Sequence, residues 1–193
     1  MTRRADAEHV HAESREAWHA WLAAHHADSS GVWLVSWRTR TGRPRIEYED
    51  AVLEALAVGW IDGQARTIDD ERGEQWFAPR RPSSGWARSN KRRVARLEAD
   101  GLMQPAGRAA VEAAKANGMW SVFDDAERLI EPPELANLLD ADPTARANWD
   151  AFPPSARQMA LGWIALAKRP ETRQRRISET ARHAAAGIRP GAR

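Results

Sequence analysis

The sequence predicts an α+β fold, predominantly helical, with a small antiparallel sheet of about three strands packed by helices and a helical C-terminal portion. Three observations predict it. Val32–Arg38 (VWLVSWR) is dense in β-branched and aromatic residues and reads as a buried strand. The runs Trp60–Ile68 and Glu74–Ala78 flank a short charged turn containing a glycine (DDERG), which is the pattern of an antiparallel hairpin. From Pro105 onward, apolar residues recur at helical spacing and prolines cut the chain into separate helices.

The elements follow in order. Residues 1–12 read as a flexible lead-in. Ser14 is suited to cap a helix whose stripe is Ala17, Trp18, Trp21 and Leu22, closing at His25-His26. Ser29, Ser30 and Gly31 make a turn into the first strand, and TRTGRPR is a loop. Tyr48 to Val58 carries Val52, Leu53 and Leu56 at helical spacing, and Gly59 ends that helix at C′. After the hairpin and a PRRP turn, Ser83 or Ser84 is expected to cap a helix running to about Asp100, with Gly101 behind it. Pro105 opens a helix to about Asn117-Gly118, and Pro132-Pro133 precedes a short helix through Leu139. Asp142-Pro143 is an N-cap followed by proline at N1. Pro153-Pro154 starts a segment to Lys168 with Ala156, Ala160, Trp163, Ile164 and Ala167 on one face. Pro170 starts the last helix, with Ile177, Ala181, Ala184 and Ile188 as its stripe. A composition break near 120–131 divides an α+β portion, 13–120, from a helical portion, 131–188. The two are expected to form one compact unit, with flexible ends at 1–12 and 189–193.

Composition narrows the function. The 193 residues carry 29 basic and 27 acidic side chains, a formal net charge of +2, so the chain as a whole is no polycation. The arginine surplus is local, with six Arg or Lys and no acid between Pro79 and Val94. No cysteine is present, which excludes disulfides, zinc-thiolate sites and cysteine nucleophiles and suits a cytoplasmic setting. The N-terminal MTRRADAEHVHAESRE has no apolar h-region, and no run of about 18 apolar residues occurs, so neither a secretory signal nor a membrane span is expected. No HExxH, G-x-S-x-G, P-loop or GxGxxG pattern occurs. No metal or cofactor is implied, and no reaction is named.

The informative stretch is Gly59–Asn90, from GWIDGQ to QWFAPRRPSSGWARSN. Asp62 stands in a strand, where aspartate is uncommon, and if partly buried it needs a cation or backbone donors. Arg80 and Arg81, just past the hairpin, are the nearest cations. Asp62 is therefore either a structural ion-pair partner or the candidate general acid/base. Trp86, Asn90, Val94 and Leu97 share a helical face, which turns Asn90 inward, while Lys91, Arg92 and Arg96 fall elsewhere and are solvated. Asn90 then either holds the fold or contacts a ligand. In the tail, Thr172 and Arg173 lie in the first turn of the last helix. There the dipole opposes an arginine unless an anion or a carboxylate, such as Asp62 or Glu171, sits with it. An exposed basic tail is the alternative.

Together, GWIDGQ, PRRPSSGW with Asn90, GLMQPAG (101–107), AKANGMW (114–120) and AKRPETRQRRI (167–177) resemble the YdeI/OmpD-associated, or bacteriocin-protection, family of bacterial proteins over about residues 18–186. Ala87 departs from the family's S-x-W-S-x-x-N pattern, in which a second serine stands there. The resemblance implies a cytoplasmic, stress-related protein and supplies no reaction. It emphasises Asp62, Arg80, Arg81, Trp86, Asn90, Thr172 and Arg173, and implies that both ends of the chain meet in one site. The expected partner is a small phosphate- or carboxylate-bearing ligand, with Arg80, Arg81 and Arg173 on the anion, Asn90 for direction, and Trp60, Trp76 or Trp86 as an apolar wall. Two alternatives stay open. One is a nucleic-acid module using Arg88, Lys91, Arg92, Arg93 and Arg96. The other is a structural or interaction protein with no ligand.

Overall fold

The structure is a computed structural model and describes residues 7–191. Residues 1–6 and 192–193, expected to be flexible ends, lie outside the described residues. The chain divides into two compact units. The first takes residues up to Ser84 and then Ser89–Asn117. The second takes Gly85–Arg88 and everything from Gly118 on.

The first unit is built on a four-stranded sheet in the order β1-β2-β4-β3: β1 (His9–His11), β2 (Val32–Trp37), β3 (Trp60–Thr67) and β4 (Arg72–Pro79). The expected hairpin is β3–β4, antiparallel, and β2 pairs antiparallel with β4. The α+β fold with a small sheet is as expected; the sheet of about three strands gains a fourth, which makes it mixed and draws on residues expected as lead-in. His9–His11 pairs parallel with β2, with Val10 packed against the core. Three residues are too few to show a period in the sequence, so a backbone ladder with β2 fixes this strand.

Four helices accompany the sheet: α1 (Arg15–His25), α2 (Tyr48–Ala57), α3 (Arg88–Ala99) and α4 (Pro105–Ala116). Ser14 caps α1 as its position predicts, its hydroxyl accepting from Ala17 N at 3.2 Å. Trp18, Leu22, Val32, Leu34, Val52, Trp60 and Phe77 fill the core. Two indoles meet backbone acceptors there: Trp18 Nε1 donates to Ala51 O and Trp60 Nε1 to His26 O, both at 3.1 Å. Gly59 adopts φ +80° and ends α2 as expected.

The helix after PRRP is corrected. It starts at Arg88, and neither Ser83 nor Ser84 caps it; Ser84 N instead closes a turn onto Arg81 O. The first residue of the helix, Arg88, and the three before it, Gly85 to Ala87, pack in the second unit. Trp86 N donates to Met119 O at 3.0 Å, and the Trp86 and Trp120 rings lie 5.1 Å apart. Trp86 is therefore buried without belonging to the helical face it was expected to share with Asn90.

The second unit is helical: α5 (Asp124–Glu127), which the sequence reading missed, α6 (Pro133–Asp140), α7 (Pro143–Ala151), α8 (Pro154–Ala165) and α9 (Pro170–Ala185). The proline starts read from the sequence hold for the last four. Asp142 Oδ1 accepts from Thr144 N and Ala145 N, capping α7. Leu135, Leu139, Trp149, Leu161, Ile164 and Ile177 form the core. Trp163 and Ile188, placed on apolar stripes by spacing alone, are exposed.

Candidate functional site

Asp62 sits on β3, an edge strand, immediately before a register shift. Its partner on β4 is Phe77, while Ala65 already pairs with Gln75. Gly63 and Gln64 thus form a bulge opposite Trp76, and a bulge at a sheet edge re-aims its neighbouring side chains. That answers why an aspartate is tolerated in this strand. The glycine of the bulge has its own reason: a Cβ at Gly63 would stand 3.0 Å from the Trp76 ring, and one at Gly31 only 2.3 Å from it. The Trp76 indole therefore lies in a slot between two glycines.

Asp62 is half-buried and accepts a hydrogen bond from the Tyr48 hydroxyl at 2.7 Å on Oδ2. Burial, followed by that bond and the carboxylate charge, pushes the Tyr48 phenol up from 10.0 to about 12. Arg80 is mostly buried; burial pulls its guanidinium down to about 10, with the charge of Asp62 opposing. At neutral pH Arg80 remains charged. The expected electrostatic partnership of Asp62 with Arg80 is thus present, and Tyr48 joins it.

A second group adjoins on α3. Arg93 forks onto Glu49, Nε to Oε1 at 2.9 Å and Nη2 to Oε2 at 2.6 Å, and its Nη1 donates to Asn90 Oδ1 at 2.8 Å. The Glu49 hydrogen bond holds Arg93 above its ordinary value, with smaller contributions from Tyr48 and Asp62. Asn90 is half-buried, and its carbonyl orients Arg93. Sequence reasoning missed Tyr48, Glu49 and Arg93. Arg93 had a usable signal, since it lies three residues after Asn90 and such pairs meet on a helix. Tyr48 is the chain's single tyrosine, but nothing in the sequence ties it to Asp62.

A cleft of about 820 Å³ opens at the end of the sheet where β4 finishes. Asp62, Trp76 and Arg81 line it, with Ser29, Ser30 and Ser84 as hydroxyl groups and Glu8, Asp28 and His25 also in the lining. Asp62 Oδ1 takes no hydrogen bond among the described residues, so it is the acceptor this carboxylate has left. Arg80 and Asn90 are not among the lining residues; they act behind Asp62 and Arg93.

Trp86, Thr172 and Arg173 belong to the second unit. Thr172 is half-buried in the first turn of α9. Arg173 forks onto Glu134, Nη1 to Oε1 at 2.6 Å and Nη2 to Oε2 at 3.3 Å, and draws that carboxyl below its usual range. A carboxylate does accompany the arginine at this helix start, as the dipole argument requires, but it is Glu134 rather than Asp62 or Glu171. The basic helix is also less bare than its sequence: Arg88, Arg93 and Arg96 pair with Glu127, Glu49 and Asp100. No group of three or more His, Cys, Asp or Glu among the described residues is arranged to hold a metal ion.

Residues 10–110 match the family model described as Domain of unknown function (DUF8412), which is more than half of the chain. The chain belongs to this family. Residues 128–187 match the model described as Bacteriocin-protection, YdeI or OmpD-Associated. That is the family the motifs resembled, over a shorter span than 18–186. Of those motifs only AKRPETRQRRI lies inside the YdeI or OmpD-associated segment. GWIDGQ, PRRPSSGW, Asn90 and GLMQPAG fall in the DUF8412 segment, and AKANGMW lies between the two. No curated protein and no solved structure matches the chain. No helix among the described residues is long and apolar enough to cross a membrane.

Proposed function

We propose that the first unit binds a small phosphate- or carboxylate-bearing ligand in the cleft at the end of its sheet. The observation that carries the reading is that Asp62, Trp76 and Arg81 line one cavity of about 820 Å³, within the usual range for small-molecule sites. Arg81 is exposed on that wall and takes the anionic group as a planar fork. Trp76 supplies the apolar surface. Asp62, positioned by Tyr48 and Arg80, accepts a donor from the ligand. Glu8 and Asp28 add two more carboxylates, so a bare anion would meet repulsion from them. The class that satisfies both sides carries an acidic group at one end and ammonium or hydroxyl donors at the other, as amino acids and sugar phosphates do. The reading assigns binding and no reaction. The bacteriocin protection named for the family matched at 128–187 is the cellular setting in which such a ligand would act.

Titration of tryptophan fluorescence with phosphorylated and amino-acid metabolites tests it. Wild type is expected to give a saturable change that Arg81→Ala weakens at least tenfold, the scale of one lost charge-assisted hydrogen bond of about 1.5–3 kcal/mol. No response in wild type, or the same response in the variant, sinks the reading.

A further inference from the structure

At the opposite end of the sheet, the loop WRTRTGRPR (37–45) carries four arginines and no acid. A dish of about 440 Å³ is lined there by Arg38, Arg40 and Arg45 together with Trp37, Ser36 and Gly73. It shares no residue with the cleft. β2 separates the two, with Gly31 at the cleft and Trp37 at the dish, about 20 Å apart at strand rise.

Arg38 is the distinctive member. Its backbone is pinned, because its N donates to Glu71 O at 2.8 Å and its carbonyl accepts from both Thr41 N (3.0 Å) and Thr41 Oγ1 (2.8 Å). Its side chain reaches across the sheet, donating from Nη2 to Thr67 Oγ1 at 2.7 Å on β3. The strand it crosses is β4 at Gly73, which pairs with Ser36 on one side and Thr67 on the other. No side chain stands in the way at that position. Among the described residues Arg38 has a neutral hydroxyl and no carboxylate as side-chain partner, and its Nε is buried with no acceptor. A buried guanidinium N–H left in that state is costly unless something supplies the acceptor. Arg40 and Arg45 stand beside it: Arg40 donates to the Asp70 carbonyl and lies 3.6 Å from its carboxylate, and half-buried Arg45 pairs with Glu47 at 2.8 Å. The exposed Arg40–Asp70 carboxylate pair holds weakly and exchanges for a better anion.

We infer that this dish is a second binding site, specific for a phosphate group. Arg38 is its fixed anchor, and Arg40 and Arg45 close on the remaining oxygens. Three guanidiniums in one lining suit a multiply charged oxyanion with several acceptor oxygens better than a single carboxylate. The phosphate comes either from a small molecule or from a nucleic-acid backbone, and the two sources separate experimentally. Calorimetric titrations of the full chain with inorganic pyrophosphate and with a short single-stranded oligonucleotide are run on wild type, Arg38→Ala and Gly73→Leu. Saturable binding of either probe to wild type is expected, at least tenfold weaker in Arg38→Ala and in Gly73→Leu. Gly73→Leu fills the dish floor without removing charge, and a Cβ there meets only the Arg66 carbonyl at 3.6 Å, so it keeps the test decisive even if Arg38→Ala unfolds. Pyrophosphate binding identifies a small-molecule source, and binding of the oligonucleotide alone identifies a polymer. No saturable binding of either probe to wild type, or affinity unchanged by Arg38→Ala and Gly73→Leu, overturns the site.

Discussion

Asp62 concentrates the residue-scale argument. A carboxylate beside a β-bulge on an edge strand is reachable from three directions, and the chain supplies Tyr48 from α2, the charge of Arg80 from the end of β4, and the cleft from the third. The Tyr48 bond makes a signed prediction. In the unfolded chain the phenol titrates near 10.0, and in the folded chain at about 12. Between those values the unfolded chain has lost a proton that the folded chain keeps, so this contribution is complete below pH 10 and falls as pH rises to about 12. Tyr48→Phe removes it. The variant is expected to be about 0.5–1.5 kcal/mol less stable than wild type near neutral pH, the net worth of one hydrogen bond. Urea titrations at pH values spanning the window should show that gap closing with rising pH, and Arg80, common to both proteins, cancels from the comparison. A gap that stays constant would contradict the bond. Asp62 and its charge partner were legible in the sequence, because a charge inside a β-pattern demands compensation. Tyr48 was not, because only tertiary packing brings α2 beside β3; for Arg93 the spacing from Asn90 was legible, but its fork onto Glu49 was not.

At the scale of elements, the motif GLMQPAG turns out to be packing. α4 crosses the end of α2 so closely that a Cβ on Gly107 would lie 2.2 Å from Ala57 O and 2.7 Å from Met103 Sδ. The same Ala57 carbonyl accepts from Gln104 N at 3.0 Å. Gly107→Ala is therefore expected to cost about 3 kcal/mol, the upper end of overpacking penalties. Gly101→Ala, in open space with φ +69°, should cost about 1 kcal/mol from backbone strain alone. Thermal melts of the two variants check the contrast, and equal losses would refute the close crossing. Helix starts with a local cause, at Ser14 and at Asp142-Pro143, were readable in the sequence because their caps are neighbours in sequence. The start of α3 was not. Its first N–H, on Arg88, donates to Glu127 Oε1 at 2.7 Å, an acceptor 39 residues away, while the serines that imitate a cap lie in a turn.

At the scale of the whole molecule, two units with separate cores carry two family matches. The order of elements was legible almost throughout, since proline, glycine and period mark each one. The division was harder to read, because the second unit takes Gly85–Arg88 out of the middle of the first, and the contacts that claim Trp86 are non-local. This division bears on function. The residues singled out by pattern are shared between units, and Arg173 is already committed to Glu134. The proposed ligand site therefore needs only the first unit, and Arg173 holds α9 to α6 through Glu134. The direct test is calorimetric titration of the ligand found by fluorescence into wild type, Arg81→Ala and Arg173→Ala. At least a tenfold loss of affinity is expected in Arg81→Ala, with wild-type affinity kept in Arg173→Ala. Affinity lost in Arg173→Ala and kept in Arg81→Ala would contradict it.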